Sequence, residues 1–342
     1  MRVLVTGHRG FIGAVLTPLV SRAGFDVVGL DTDYYRGCSF DGELAEVPTI
    51  HSDIRDVKLA DLSGFDSIIH LAALSNDPLG DLDPGLTYEI NHHATVRLAR
   101  LARDAHVSRF LYSSSCSNYG AGGEELLDES AALNPVTTYG VSKVRSERDL
   151  LALATDDFSP VLLRSATAYG LSPRLRCDVV VNNLTAWAVA TGKVVIKSDG
   201  SPWRPLVHVE DIGRAFFAAL VAPRETVHAQ AFNVGRTNEN FRIREVAEIV
   251  RETVPGCEVQ YAEGAAADVR NYRVDCAKIA CALPEFRPSW TVREGVRSLY
   301  EAFRANRIRV DEFEGCKFRR IGQIKWLLAQ GQLKDDLRWR TT

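Results

Sequence analysis

The chain has 342 residues, of which 46% are hydrophobic and 25% charged, and a formal net charge of −3. That length accommodates one large core with a satellite, or two modest domains. The charge balance excludes a global pull toward nucleic acid or an anionic membrane surface, and no apolar run approaches a membrane span.

The opening RVLVTG predicts a strand and not a secretory signal, because no small-residue cleavage pattern closes a long apolar stretch. Gly7, Gly10 and Gly13 follow it at once, and PLVSRAG reads as the helix beyond. Glycine permits a tight turn and lets backbone N–H groups approach a pyrophosphate at a helix N-terminus. A plain glycine-rich turn is the alternative. The next strand, DVVGLD, ends at Asp31, about twenty residues past the turn, where a carboxylate accepts both ribose hydroxyls of NAD and repels the 2′-phosphate of NADP. Arg9 and Arg36 are the cations that would offset this preference, and a solvated strand end is the other reading of Asp31.

HSDIRD offers Asp53 and Ile54 to the edge and face of an adenine, with a turn or cap role for Asp53 as the alternative. DSIIHLAA is a further strand. It runs into Leu71, Ala72 and Ala73, small enough at 72 and 73 for backbone to pass close to a cofactor, or simply to pack tightly. SNDPLGDLDP is an acidic loop in which Asp77 and Asp81 either meet sugar hydroxyls or face water. An amphipathic helix is expected from Ala94 to Ala105, a strand at RFLYSSS, a second helix from Tyr139 to Ala154 and a strand at SPVLLRS. Nearly all-apolar strands alternating with helices predict a parallel α/β sheet covered on both faces.

After Arg164 the pattern changes. A helix is expected from Val179 to Ala190, ended by Thr191-Gly192, then a strand at VVIKSDG. EDIGRAFFAALVAP and FRIREVAEIVRETVPG read as amphipathic helices, the latter with Gly256 past its end. No Gly/Ser-rich or Pro-rich linker separates these pieces from the sheet. The tail is expected to pack a short apolar helix through Ile324, Leu327 and Leu328.

The segments YSSSCSNYG and TTYGVSK carry the chemistry. Tyr139 and Lys143 are four apart on one predicted helix, so both side chains share a face. A nearby ammonium favours the phenolate of a phenol whose ordinary pKa is about 10. Such a group takes a proton from an alcohol as hydride leaves its carbon. A hydroxyl of the Ser113–Ser115 run would share the same substrate oxygen. A bare Tyr–Lys pair at this spacing is also common for structural reasons.

Over roughly residues 1 to 300 the chain resembles the extended short-chain dehydrogenase/reductase family, in its NAD-dependent nucleotide-sugar epimerase/dehydratase branch. TGHRGFIG is similar to the family's TGxxGxxG turn, and the segment from Tyr139 to Lys143 to its YxxxK motif. The resemblance implies a Rossmann-type parallel sheet with helices on both faces and a smaller α/β substrate-binding region. Residues 1–165 would mainly form the first and 166–342 the second, with segments around 205–240 returning to the main sheet. It makes Tyr139 the general base or acid, Lys143 its partner and ribose ligand, and Ser115 the hydrogen-bond donor to the reacting oxygen. Phe11 and Ile12 in the turn, Arg9 beside it, Leu71, Ala72 and Ala73, Asn91 in YEINHHAT, Ser113, and Ala168 in LRSATAYG fall at cofactor positions. Ser75, Asn183 and Arg204 fall at substrate positions, the last two toward a diphosphate, and Arg270 is a second arginine for it. Arg204 would otherwise neutralise Glu210 or Asp211. Many epimerases carry an arginine a few residues before Arg270, where this chain has alanines at 265–267. The helices 94–105 and 139–154 are similar to the pair that forms the family's homodimer.

Within this family the residues after the catalytic hydroxyl separate the reactions. Many 4,6-dehydratases have an Asp-Glu pair there, but this chain has Cys116 and Ser117. Cys116 is one residue away from the cysteine of reductive epimerases, an offset that turns a side chain elsewhere at a strand end. A C4 epimerisation through a transient 4-keto sugar is therefore expected. NAD(P)-dependent ketoreduction or oxidation, 4,6-dehydration, and a non-catalytic dinucleotide sensor or scaffold are the alternatives. No metal is expected, since adjacent His92 and His93 cannot face one point and His208, near Glu210 and Asp211, lacks ligand spacing. The seven cysteines are scattered without a CxxC pair, which fits reduced thiols and a cytoplasmic location.

Overall fold

A computed structural model describes residues 1–75, 77–80, 82–266 and 270–340. Among them, seven strands form one all-parallel sheet. Its spatial order is Gln230–Val234, Ser159–Ser165, Arg109–Ser115, Ser67–His70, Arg2–Thr6, Asp26–Asp31 and Thr49–His51. Chain order reverses at Arg2–Thr6, which pairs with Asp26–Asp31 on one side and Ser67–His70 on the other. In a doubly wound sheet of this kind, ligands bind beyond the carboxyl ends of the strands at that reversal.

The strands are apolar at nearly every position because helices cover both faces. Val3, Val5, Ile69, Leu111, Val161 and Leu163 point into one core with the helices Gly13–Arg22 and Val209–Val221. Leu4, Ile68, Phe110 and Leu162 point into the other with the helix Thr95–Asp104. This is the period-two alternation of a sheet buried on both sides. The Thr95–Asp104 helix continues a helical run that includes a π-helical turn over Glu89–Ala94. The helix bearing the Tyr–Lys pair spans Thr138–Leu151, ending three residues short of the expected Ala154.

The remaining strands build small sheets. Trp203–His208 lies between Asn240–Arg242 and Thr167–Tyr169. Lys193–Ser198 pairs in parallel with Glu258–Ala266. Helices Val180–Thr191, Ile243–Thr253 and Val292–Ala305 close a third core around Val181, Val246, Val296 and Leu299. Of the segments around 205–240, helix Val209–Val221 packs on the main sheet and Gln230–Val234 joins its edge, whereas Trp203–His208 belongs to the smaller sheet. The polar stretch between Val221 and Asn240 hides an edge strand whose residues, QAFNV, mix polar and apolar side chains and so do not stand out.

Candidate active site

The glycine turn is built against its neighbours. Gly7 N–H donates to Leu30 C=O at 2.8 Å and Gly10 N–H to Gly7 C=O at 2.9 Å. Gly7 has φ +72°, and a Cβ there would lie 2.8 Å from the Ala72 nitrogen. Position 7 thus needs glycine both for its left-handed backbone and for the close approach of loop 71–75. Helix Gly13–Arg22 starts where the turn ends. Asp31 closes the second strand and accepts the N–H groups of Arg9 at 2.9 Å and Asp33 at 2.8 Å. Burial raises its carboxyl pKa, and the two backbone donors and His8 act against that rise.

One cavity runs along Gly7, Gly10, Phe11, Ile12 and Gly13, past Asp31, Asp53 and Ile54, to Leu71, Ala72, Ala73 and Ser75. The turn, the helix start behind it and the ribose-side carboxylate fit an adenine dinucleotide. Two expectations change here. The Arg9 guanidinium pairs with Asp33 at 2.5 Å, so Arg9 serves this site through its backbone N–H to Asp31. Arg36 lies over the Trp339 ring at 5.2 Å. The Asp53 carboxylate grips Arg55 at 2.7 and 3.0 Å while also lining the cavity.

Asn91 acts through its neighbours. Its side chain accepts from Leu74 N–H at 2.8 Å and donates to Leu74 C=O at 3.0 Å. It clamps the 71–75 loop and does not line either cavity described here. The π-helical turn holds Asn91 within reach of that loop.

Thr137 caps the next helix by accepting from Gly140 N–H at 3.1 Å. Tyr139 and Lys143 then face the end of strand Arg109–Ser115. Lys143 Nζ donates to Ser113 C=O at 2.7 Å and sits 4.7 Å from the Tyr112 ring centroid. Tyr139 and Ser115 line the same cavity, and the Ser115 side chain favours the Tyr139 phenolate. Ser117 Oγ donates to Ser115 Oγ at 2.7 Å.

The expected lowering of the phenol by Lys143 is reversed. Burial, and next the Asp77 carboxylate, push Tyr139 up to about 12, against the opposing effects of Ser115 and Arg176. Burial also pushes Lys143 down to about 7, against the opposing effect of Glu147.

A buried ion pair fixes this helix to the sheet, and it escaped the sequence reading. Glu147 binds Arg164 Nη2 at 2.7 Å and accepts from Ser114 Oγ at 2.5 Å and Asn118 Nδ2 at 2.9 Å. Arg164 Nη1 also donates to Tyr119 Oη at 3.1 Å. Cys116 is buried in the core with its thiol toward Arg164 C=O at 3.1 Å, and burial raises its pKa.

A second cavity joins the first at Ile12, Leu71, Ala73, Ser75 and Arg176. Ser113, Ser115, Tyr139 and Lys143 stand at the junction, with Ala168 close by. Asn183, Arg204 and Arg270 line its far part. Asn183 Nδ2 donates to Cys177 C=O at 2.9 Å and Glu314 at 3.2 Å. Arg204 Nη1 donates to Trp203 C=O at 2.8 Å and to Arg270 C=O. Glu210 and Asp211, the alternative partners, are held by Arg214. Arg270 pairs with Asp77, so Asp77 faces the cavity and not open water; Asp81 and Ala267 lie outside the described residues.

Sequence reasoning missed three cations here. Arg176 binds Asp178 at 2.8 Å and Ser75 Oγ at 3.3 Å at the seam of the two cavities. Lys197 and Arg319 both bind Glu314, at 2.9 and 2.8 Å. No periodicity marks them, since the strand and loops that bear them meet only in the folded chain. The histidines have other tasks: His92 binds Asp149 at 2.7 Å, and His208 stacks on Trp290 with centroids 4.0 Å apart. Among the described residues no group of three or more His, Cys, Asp or Glu side chains is placed to hold a metal ion.

Comparison with known proteins agrees with this geometry. The model of the NAD dependent epimerase/dehydratase family matches residues 3–235. UDP-glucose 4-epimerase of Mycolicibacterium smegmatis is 30% identical over 320 residues, covering 89% of this chain and 99% of the relative. UDP-glucuronic acid decarboxylase 1 of Arabidopsis thaliana is 27% identical over 324 residues, covering 92% of this chain and 72% of the relative. The structure of MoeE5 in complex with UDP-glucuronic acid and NAD superposes with a TM-score of 0.77 at 29% identity, covering 90% of this chain and 100% of MoeE5. The chain belongs to the NAD dependent epimerase/dehydratase family, the nucleotide-sugar branch of the extended short-chain dehydrogenases/reductases. Its cofactor is NAD, and it is an enzyme of this type.

Proposed function

We propose that the chain epimerises a nucleotide sugar at C4 through a transient 4-keto intermediate. The observation that carries this reading is the Ser115–Tyr139 pair at the junction of the two cavities, flanked by the Ser117 hydroxyl and a core-packed Cys116 where many dehydratases have carboxylic acids.

NAD supplies the hydride acceptor and donor. The chain's own groups handle the proton. Tyr139 Oη takes the proton of the sugar hydroxyl and later returns it, while Ser115 Oγ holds the same oxygen. Lys143 binds the nicotinamide ribose. Small residues at 72 and 73 and Ala168 shape the walls near the ring. Asp77 and Asp178, the carboxylates lining the sugar cavity, are engaged by Arg270 and Arg176, which supports a cycle that needs no further acid. Ser75, Asn183, Arg204 and Arg270 hold the nucleotide sugar, with guanidinium groups suited to its diphosphate. UDP-glucose 4-epimerases among the relatives support the choice of reaction.

In this reading residues 1–165 mainly bind NAD and 166–342 mainly bind substrate. The protein is a homodimer through the helices 95–104 and 138–151, and works in the cytoplasm. Among the described residues no helix is long and apolar enough to cross a membrane.

The test is incubation with UDP-, dTDP-, GDP- and CDP-sugars, with isomers separated before mass spectrometry. A new isomer of unchanged mass is expected. Loss of water would replace epimerisation by dehydration, and net NADH would replace it by oxidation. Light scattering checks the dimer; a concentration-independent monomer mass removes it.

A further inference from the structure

The C-terminal segment does more than pack. Ile324 and Leu327 of helix Arg320–Ala329, with Leu333 and Leu337 beyond it, enter the core beneath the second strand. Three hydrogen bonds then tie this segment to the loop after Asp31. Trp339 Nε1 donates to Thr32 C=O at 2.6 Å, Tyr34 Oη to Leu337 C=O at 2.6 Å, and Gln323 Nε2 to Tyr34 C=O at 3.2 Å. Tyr34 and Tyr35 line the dinucleotide cavity, so the tail braces one of its walls.

Arg320 reaches the cavity itself. It is 2% exposed, and its guanidinium lies 4.2 Å from the Tyr35 ring centroid. Nη2 donates to Arg174 C=O at 2.7 Å, whereas Nη1 is buried without a hydrogen-bond partner among the described residues. Such a donor is costly to leave unmade. The loop that holds Arg320 sits over the glycine turn, because Ser172 Oγ donates to Phe11 C=O at 2.9 Å. Arg176 lines the same cavity, and Asp178 receives both Arg176 Nε at 2.8 Å and the Arg320 backbone N–H at 3.2 Å. Asp178 is thus engaged by the Arg176 guanidinium and by the Arg320 backbone, while the Arg320 guanidinium itself stands over Tyr35 at the cavity wall.

We infer that Arg320 is a dinucleotide ligand: its Nη1 binds the diphosphate of NAD from the side opposite the glycine turn, and the C-terminal segment exists to place it there. This rests on the dinucleotide reading of the glycine turn. A guanidinium matches phosphate oxygens in shape and charge, and one such bond accounts for the orphaned donor. Arg319, the preceding residue, lines the substrate cavity and is committed to Glu314, so the two arginines serve different anions.

Calorimetric titration of cofactor-stripped protein with NAD, ADP, adenosine and UDP tests this. Arg320→Gln is expected to weaken NAD and ADP by about tenfold or more, the scale of one charge-assisted hydrogen bond, while adenosine and UDP stay within about twofold. Unchanged ADP and NAD affinities overturn the assignment. So does an equal loss for adenosine, which would mark a structural role, or a loss confined to UDP, which would place Arg320 on the substrate. Should Arg320→Gln fail to fold, Arg320→Lys keeps the stem and charge without the fork. Its ratio of ADP to adenosine affinity is expected to fall by about threefold or more, and an unchanged ratio overturns the assignment. Wild-type protein that binds none of the adenine ligands would instead refute the dinucleotide reading of the turn.

Discussion

Lys143 Nζ donates a hydrogen bond of 2.7 Å to the carbonyl of Ser113, two residues before Ser115, which lines the same cavity as Tyr139. The lysine therefore locks the helix onto the strand end as well as facing the cofactor. Replacing Tyr139 by Phe removes the proton acceptor and leaves this lock intact. Turnover is expected to fall by about 10²–10⁴-fold while NAD remains bound. Steady-state rates and the NAD content of purified Tyr139→Phe check it.

Cofactor-free protein should hold Tyr139 as a neutral phenol. Its folded pKa is raised to about 12, against an ordinary 10. A raised acid contributes stability that is complete below about pH 10 and is lost as pH climbs toward 12. Difference absorbance of phenolate between wild type and Tyr139→Phe should show no contribution from this residue below pH 10. An earlier titration would contradict the burial argument.

Glu147→Ala leaves Arg164 as a buried cation whose remaining contacts do not neutralise it. A loss of about 3–5 kcal/mol in unfolding free energy is expected, the usual cost of breaking a buried pair from one side. Urea denaturation measures it. Glu147→Gln, which keeps the shape and hydrogen bonds but not the charge, is expected to lose less.

Acid should destabilise the protein through two buried imidazoles. His70 lies between Thr6 Oγ1 at 2.7 Å and Thr95 Oγ1 at 2.8 Å, and His208 lies against Trp290. Burial pushes both down to about 3 from 6.5. The unfolded chain binds these protons first, so stability is full above pH 6.5 and falls as pH drops toward 3. The slope is about 1.4 kcal/mol per pH unit for each histidine. His70→Asn should make the pH dependence between pH 4 and 6 shallower; an unchanged slope would remove His70 from this account.

Gly7→Ala combines a left-handed backbone with a contact against Ala72. A destabilisation of at least about 1–2 kcal/mol and weakened NAD binding are expected, because the loop that walls the cofactor must retreat. Thermal melts with and without NAD separate the two effects.

Apart from the edge strand Gln230–Val234, the sheet was legible because its strands are short apolar runs between glycine turns and amphipathic helices, a local pattern. Gly7, Asp31, Ser115, Tyr139 and Lys143 were legible because each stands at a strand end or a fixed helical spacing. Arg176, Glu314 and Arg320 were not. Their surroundings are assembled from segments over a hundred residues apart, as when Arg320 meets Arg174 across 146 positions. The Tyr139 phenol, expected to be lowered, is raised for a related reason: desolvation depends on what covers the site, and that cover is supplied by the whole fold.

The outermost strand of the main sheet, Gln230–Val234, is supplied only after the chain has passed through the small sheet at Thr167–Tyr169 and Trp203–His208. On a ribosome, the nucleotide-binding half cannot finish until just over two-thirds of the polypeptide has emerged. A fragment cut near residue 165 would present Ser159–Ser165 as a bare edge, ready to pair with another chain. Dissection of this enzyme into separately expressed halves should therefore yield inclusion bodies, whereas co-expression of fragments split past Val234 leaves that border covered.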